Sequence, residues 1–181
     1  MKQIRIHGRG GQGSVTLAHL IAEAAFEEGH WAQAFPAFGV ERRGAPVEAF
    51  ARIDDERITD RSQVTTPSTV LVQDPTLIEI VDISSGISEE GDFVVNSAAS
   101  PKSLDISLHS GAITTVDATA IALEHLGRPI MNTALLGAVA GATGLLSLDS
   151  IETVTTSTWD GELGRKNAAA AAAAYEEVKA Q

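Results

Sequence analysis

The feature that most constrains this chain is a glycine-rich turn that joins an apolar strand to a helix close to the N-terminus. Residues 7–14 read His-Gly-Arg-Gly-Gly-Gln-Gly-Ser. The stretch Lys2–His7 has the composition of a strand, and Val15–Glu28 carries apolar residues at helical spacing. The first turn of a helix leaves backbone N–H groups unpaired at the positive end of the helix dipole. This junction therefore favours binding of an anionic group.

The sequence excludes the two commonest phosphate-binding loops, although its glycines have the spacing of the dinucleotide fingerprint. No lysine precedes Ser14, which excludes the loop of nucleoside triphosphatases. The next predicted strand, Trp31–Phe35, ends without the acidic residue that binds the ribose of NAD. We predict Ser14 as the helix N-cap. We also predict that the turn binds an anion, unless its glycines serve only to make the turn tight. The candidate ligand-binding residues are Gly8, Arg9, Gly10, Gly11, Gln12, Gly13 and Ser14.

Strand and helix patterns alternate along the chain, which is typical of a mostly parallel sheet flanked by helices. The predicted strands are Lys2–His7, Trp31–Phe35, Val47–Ile53, Thr69–Gln73, Phe93–Asn96 and Ala112–Val116. The predicted helices are Val15–Glu28, Pro75–Val81, Ala118–Leu126, Thr133–Thr143, Ser150–Thr158 and Arg165–Lys179. This pattern predicts an α/β fold, a single three-layer Rossmann-like domain over residues 1–181. Apolar and polar residues alternate in Val47–Ile53, so we expect one face of that strand to be exposed or covered by another molecule.

The charge distribution favours an anionic ligand near the N-terminal turn and argues against nucleic acid. The formal net charge is −11, whereas a nucleic-acid-binding protein presents a basic surface to phosphates. Residues 1–61 nevertheless carry 8 of the 13 Lys and Arg side chains. The chain has no cysteine, which excludes a cysteine-bound iron–sulfur cluster and a thiol nucleophile. With a strand beginning at the N-terminus and no apolar stretch long enough for a bilayer, we expect a cytoplasmic protein without a membrane partner.

Arg42 and Arg43 form a second candidate site, in the segment between the second and third predicted strands. Paired guanidinium groups bind a phosphate or a carboxylate in bidentate fashion. Docking on an acidic partner surface, or an internal salt bridge with Glu41 or Glu48, would account for the same pair. The residue types are equally consistent with a ligand and with an interface.

Two further features point to contacts with a partner or a ligand. Phe35 and Phe38 are two of only eight aromatic residues, and their closeness in sequence indicates a buried anchor at an interface. Asn132 or Thr133 either caps the helix that follows or contacts a ligand from the N-terminus of that helix.

The sequence predicts no catalytic set and no metal site. The five histidines, at positions 7, 19, 30, 109 and 125, show no metal-ligand spacing with acidic residues. No histidine occurs in the sequence context of a serine nucleophile elbow. A chain with an anion-binding turn but without bond-breaking residues is expected to function as a subunit.

Five tracts in a fixed order give the chain a resemblance to a known family. They are the glycine-rich turn, Gln33–Val47, Val72–Leu77, Val116–Thr119 and Gly127–Ala134. Over essentially its whole length the chain resembles the gamma subunits of the 2-oxoacid:ferredoxin oxidoreductase family, in the form found in pyruvate:ferredoxin oxidoreductase (pyruvate synthase).

The resemblance implies a role in a multi-subunit enzyme. Such an enzyme converts pyruvate, CoA and oxidised ferredoxin to acetyl-CoA, CO2 and reduced ferredoxin, or runs in reverse. Thiamine diphosphate, magnesium and iron–sulfur clusters would then lie in the alpha, beta and delta subunits, and this chain would bind no cofactor alone. Gly8–Ser14, Arg42, Arg43, Asn132 and Thr133 would contact CoA, the anionic substrate or a neighbouring subunit. The alternatives are a gamma subunit for 2-oxoglutarate or another 2-oxoacid, and a free-standing nucleotide- or CoA-binding module.

Overall fold

Strands and helices alternate along the part of the chain that the computed structural model describes, which is residues 1–37, 42–106 and 111–181. The strands are β1 (Lys2–Arg9), β2 (Trp31–Pro36), β3 (Pro46–Asp54), β4 (Thr69–Val72), β5 (Asp92–Asn96) and β6 (Ile113–Val116). The α-helices are α1 (Ser14–Glu27), α2 (Ala118–Leu126), α3 (Asn132–Thr143), α4 (Leu148–Thr158) and α5 (Gly161–Lys179). Two short 3₁₀ segments span Pro75–Glu79 and Pro101–Ser103.

The strands form one six-stranded mixed sheet in the order β2-β3-β1-β4-β5-β6. Strands β1, β4, β5 and β6 are parallel to their neighbours in that series. Strand β3 pairs antiparallel with both β1 and β2. The predicted α/β fold with a mostly parallel sheet is therefore confirmed, and β2 and β6 are the edge strands.

One face of the sheet is covered by the α-helices through an apolar core. Ile6, Leu71 and Val94 project from three neighbouring strands into this core, which all five helices help to enclose. Helices α3 and α5 approach closely because Gly137 has no side chain where it meets the backbone carbonyl of Ala171. A larger residue at position 137 would force the two helices apart.

The opposite face is covered by irregular segments and the 3₁₀ turns. Its apolar cluster includes Val72, Phe93 and Ile83, and it also buries the side chains of Arg5 and Arg52. The expectation that one face of the third strand is exposed is wrong. Residues 49–53 of β3 are buried on both faces, because the helix-side core covers one face and the loop bonded to Arg52 covers the other.

Several helix limits differ from those predicted. Helix α4 begins at Leu148 with Ser147 as its N-cap, and α5 begins at Gly161 rather than Arg165. The predicted helix at 75–81 is a shorter 3₁₀ segment. Among the described residues, no helix combines the length and the apolar character needed to cross a membrane.

Candidate functional site

The candidate site lies where the parallel strands end. The turn that contains Gly10 follows β1, Gln73 and Asp74 follow β4, and Asn96 ends β5. Strands β2 and β3, which follow β1 through helix α1, lie on one side of β1 in the sheet. Strand β4, which comes next in the chain, lies on the other side of β1. Ligands of open α/β sheets bind at the carboxyl ends of strands where the connections diverge in this way.

The N-terminus of α1 presents backbone donors at this edge. Gly13 occupies the N-cap position in the left-handed region, with φ of 78°, and no side chain caps the helix. Among the described residues, no acceptor meets the N–H groups of Gly11, Gly13, Ser14 or Val15. The predicted N-cap role of Ser14 is wrong, because Ser14 is the first helical residue and its hydroxyl donates to Oε1 of Gln73 at 2.5 Å.

A second loop lies directly along the glycine turn. The N–H of Gly10 donates to the carbonyl of Ala45 at 2.9 Å, and the N–H of Gly44 donates to the carbonyl of Gly10 at 3.0 Å. A Cβ at position 10 would overlap the carbonyl oxygen of Arg42, so glycine is required for this approach. The structure therefore brings together two segments that the sequence separates by more than 30 residues.

Arg42 and Arg43 lie beside the backbone donors. Both residues are exposed, and no carboxylate of the described chain lies within 4.0 Å of either guanidinium. The suggested pairing with Glu48 is wrong, since the carboxylate of Glu48 faces Nδ1 of His7 at 3.5 Å. The other suggested partner, Glu41, lies outside the described residues. Both arginines thus belong to the loop that runs along the glycine turn, with the backbone of Arg42 against Gly10 and the Cγ of Arg43 near Gly11.

Gln73 holds the glycine turn through side-chain hydrogen bonds, and the sequence did not reveal this role. This buried amide accepts from Ser14 and donates from Nε2 to Oδ1 of Asn132 at 2.9 Å. Its backbone carbonyl accepts from Nδ2 of Asn96 at 2.9 Å. A polar residue directly after the mostly apolar strand Thr69–Val72 was the available signal, because such a residue lies at the carboxyl edge of the sheet.

Of the two neighbours Asn132 and Thr133, only Asn132 contacts the glycine turn and its support. The N-cap of α3 is Met131, without a side-chain hydrogen bond, so the predicted capping role of either residue is wrong. The amide of Asn132 lies against Gly13 and bonds to Gln73. Thr133 points away and donates to Oδ1 of Asn167 at 3.0 Å. Only Asn132 is therefore part of the turn's supporting network.

Arg9 ties the turn to neighbouring loops. Its guanidinium donates to Asp74 Oδ2 at 2.8 Å, to the carbonyl of Gly44 at 3.0 Å and to Thr76 Oγ1 at 2.7 Å. Burial opposes ionisation of Asp74, but hydrogen bonds from Thr76 and then from Arg9 hold the pKa of this carboxyl below its usual value. With three N–H groups engaged, Arg9 fixes the loops, and Arg42 and Arg43 are the cations available to a ligand.

The predicted aromatic anchor takes another form. Phe35 lies in β2, where its ring packs on Phe50 with centroids 5.3 Å apart and lies under the guanidinium of Arg52 at 5.0 Å. Its intended companion, Phe38, lies outside the described residues. Phe35 thus packs within the sheet, in the strand predicted for it.

The groups at this edge of the sheet are hydrogen-bond donors suited to binding a ligand. The turn offers amide donors, two guanidinium groups and a hydroxyl that is already bonded to Gln73. Asp74, which follows β4 at the same edge, is engaged with Arg9 and Thr76. Within the described residues, no group of three His, Asp or Glu side chains is placed to hold a metal ion. Amide and guanidinium donors of this kind bind phosphates and carboxylates.

Comparisons with known proteins place the chain among close relatives. The sequence profile of the pyruvate ferredoxin/flavodoxin oxidoreductase family matches residues 3–177. The chain is 54% identical over 179 residues to pyruvate synthase subunit PorC of Methanothermobacter marburgensis, covering 99% of this chain and 98% of that one. It is 52% identical over 181 residues to the common gamma subunit of the pyruvate/ketoisovalerate oxidoreductases of Pyrococcus abyssi, covering 99% and 98%.

A solved structure has the same fold. The crystal structure of pyruvate oxidoreductase subunit PORC from Thermotoga maritima superposes with a TM-score of 0.84 at 38% identity, covering 97% of this chain and 95% of that one. Sequence and fold agree over nearly the full length, and the chain belongs to the pyruvate ferredoxin/flavodoxin oxidoreductase family.

Proposed function

We propose that this chain is the gamma subunit of a pyruvate:ferredoxin oxidoreductase in the cytoplasm, acting as one domain over residues 1–181. The complex would convert pyruvate, CoA and oxidised ferredoxin to acetyl-CoA, CO2 and reduced ferredoxin, or run in reverse. Identity of 54% to a pyruvate synthase subunit over 99% of the chain is the observation that carries the proposal. The alpha, beta and delta subunits would hold thiamine diphosphate, magnesium and the iron–sulfur clusters, and would pass electrons to ferredoxin.

Within the complex, the glycine turn would bind a phosphate of CoA. Three properties support this role: backbone N–H groups at the start of α1 and the guanidinium groups of Arg42 and Arg43 have no acceptor among residues 1–37, 42–106 and 111–181, and Gln73 holds the turn through hydrogen bonds to Ser14 and Asn132. Each feature favours an anion, and the first two are worth most for a multiply charged group such as a phosphate. Asn132 would act by holding Gly13, and Thr133 would act only through the packing of α3 on α5.

The double variant Arg42→Gln/Arg43→Gln tests this role in the assembled enzyme. Loss of charge-assisted contacts of about 1.5–3 kcal/mol should raise the KM for CoA by roughly 10- to 100-fold, with the KM for pyruvate unchanged. The matched control is Arg128→Gln/Arg165→Gln, which removes two exposed arginines elsewhere on the chain. If instead the CoA kinetics stay normal while the complex falls apart, the arginines are interface residues.

A shared subunit is the second candidate function. The Pyrococcus abyssi relative is named as a subunit common to pyruvate and ketoisovalerate oxidoreductases. This chain would serve two enzymes in the same way if the choice of 2-oxoacid lies in other subunits. Affinity purification from native extract should then yield two sets of partner subunits with two oxoacid activities. Recovery of a single set with activity on pyruvate alone would leave only the first proposal.

A further inference from the structure

On its outer side, the edge strand β2 has no partner strand among the described residues. In antiparallel pairing with β3, hydrogen-bonded pairs alternate with non-hydrogen-bonded ones. The N–H of Ala37 donates to the carbonyl of Glu48, so Ala37 and Glu48 form a hydrogen-bonded pair. Every second pair along β2 and β3 is therefore also hydrogen-bonded, including Gln33 with Arg52, and its backbone groups point between the two strands. Ala32 and Ala34 therefore direct their N–H and C=O groups away from the sheet. Such an edge is a template for another strand.

Two grooves flank this edge, one on each face of the sheet. The groove on the loop side measures about 440 Å³ and is lined by Trp31, Gln33, Arg57 and Arg61. The groove on the helix side measures about 400 Å³ and has apolar and acidic walls from α1, α4 and β2. Its lining includes His19, Glu23, Phe26, Glu27, Ala32, Ala34 and Val154. Successive side chains of an added strand would enter the two grooves in turn.

The loop-side groove is preformed and positively charged. Arg52 holds its outer wall by donating to the carbonyl of Ser62 at 2.7 Å, and Gln33 donates to the carbonyl of Ile58 at 3.3 Å. Arg57 and Arg61 are exposed, and neither has a carboxylate within 4.0 Å among the described residues. Acidic residues occur elsewhere in this segment, at positions 54–56 and 60, but the described residues that line the groove include both arginines and no carboxylate, so the groove itself attracts acidic side chains.

Exposed aromatic side chains extend the same surface. Phe26 on α1 is 70% exposed, and Trp31 at the start of β2 is 50% exposed. Aromatic side chains that project beside an open edge are typical anchors of protein interfaces.

We propose that β2 is a docking edge for an extended segment of a partner subunit, in which acidic side chains alternate with apolar or basic ones. The acidic side chains would meet Arg57 and Arg61, and the others would enter the helix-side groove beside Phe26. Charge disfavours a second copy of this chain as the occupant. Two-fold antiparallel pairing through β2 would place both copies' Arg57 and Arg61 on the same side of the continued sheet. This inference rests on the chain being a subunit and is independent of the CoA site.

Charge reversal at the groove tests the proposal in the native complex. The variant Arg57→Glu/Arg61→Glu should weaken binding of the chain to its partner subunits by on the order of 100-fold, since each reversed pair is worth about tenfold or more. The control is Lys102→Glu/Arg165→Glu, which makes the same change in net charge at exposed positions elsewhere. Binding that weakens equally in both variants would contradict the proposal.

Amide exchange provides the decisive readout. The N–H groups of Ala32 and Ala34 should exchange fast in the isolated chain and be protected at least 100-fold in the complex. Equal exchange in both states overturns the proposal, and so does protection that grows with concentration of the isolated chain, which would show self-pairing.

The variant Ala34→Pro removes one outward donor at a position where an edge strand tolerates proline. It should lower partner binding while circular dichroism remains native, and native affinity in this variant would count against an added strand. Failure here would leave the CoA kinetics of the Arg42 and Arg43 variants unaffected.

Discussion

The two faces of the central sheet are buried by different physical means. On the helix-covered face, aliphatic side chains such as Ile6 and Leu71 pack against apolar stripes of the helices. On the other face, the same strands carry Arg5 and Arg52, which are 6% and 0% exposed. The first face depends on removing apolar area from water, and the second depends on pairing donors with acceptors.

The difference follows from what each face has to cover it. The segments 55–68 and 82–91 form no helix or strand, so their backbone carbonyls lack the regular hydrogen bonds of secondary structure. Arg5 donates to the carbonyls of Ile83 and Ser85 at 2.9 and 2.7 Å, and Arg52 donates to those of Asp60 and Ser62. Burying a guanidinium is costly unless its N–H groups are paired. The loop face therefore depends on these specific bonds, whereas the helix face depends on close packing of apolar side chains.

Replacing Arg52 should have the largest effect and should expose the difference between the faces. The variant Arg52→Met removes the buried guanidinium that donates to the carbonyls of Asp60 and Ser62 and to Oε1 of Gln3, so we expect the loss of these three charge-assisted bonds to lower the free energy of unfolding by about 3–5 kcal/mol. Urea denaturation measures this loss, and limited proteolysis should cleave the segment around residues 57–63 first. The control Arg57→Met changes an exposed arginine and should cost within about 0.5 kcal/mol.

A truncation on the helix face sharpens the comparison. Leu71→Ala should cost about 2–5 kcal/mol through a cavity, without opening the segment at 57–63. If proteolysis opens that segment equally in Leu71→Ala and Arg52→Met, the two faces do not differ in the way described.

Acidification should act on the loop face next. His7 accepts from Nε of Arg5 at 3.0 Å, and burial, followed by the charge of Arg5, lowers the pKa of His7 from 6.5 to about 4. Because the unfolded chain binds this proton more readily, the contribution is complete above about pH 6.5 and is lost as the pH falls towards 4. A shift of this size corresponds to about 3 kcal/mol.

The variant His7→Gln tests this dependence. It keeps an acceptor for Arg5 but cannot titrate, so the free energy of unfolding should fall less between pH 6.5 and 4 than in the wild-type chain. Denaturation at four pH values in this range provides the comparison. Parallel curves for the two proteins would mean that His7 does not carry the pH dependence.

The same contrast explains which parts of the fold could be predicted from the sequence. Helix periodicity, alternation of strands with helices and the glycine turn are local patterns, and they gave the α/β fold and the position of the turn. The alternation of Glu48, Phe50 and Arg52 identifies residues that share a face. Alternation does not indicate whether water or a distant loop covers that face, and this is why β3 was expected to be exposed.

The candidate site shows the same limit. Ser14 and Asn132 stand where capping residues are favoured, but both side chains bond instead to Gln73, which lies 59 residues from each of them. Capping preference is a local property, whereas a buried amide that joins two helices depends on the tertiary fold. The approach of Arg43 to Gly11 is likewise set by the pairing of β3 with β1.

The smallest effect is expected at the rim of the helix face, where a single carboxylate replaces apolar contact. Glu28 accepts from the N–H of Ser147 at 2.7 Å and from Oγ of Ser150 at 2.6 Å, at the N-terminus of α4. Partial burial opposes ionisation, but these bonds hold its pKa below the usual value, so the stabilisation is present above about pH 4.5 and is lost on acidification.

Glu28→Gln should cost about 1 kcal/mol at pH 7, and the difference from the wild-type chain should vanish near pH 3, as urea denaturation at both values would measure. The neighbouring variant Glu27→Gln makes the same change of charge at an exposed residue and should cost almost nothing. An equal loss in both variants would mean that only the overall charge matters, and the helix face would then have no specific polar contact at this rim.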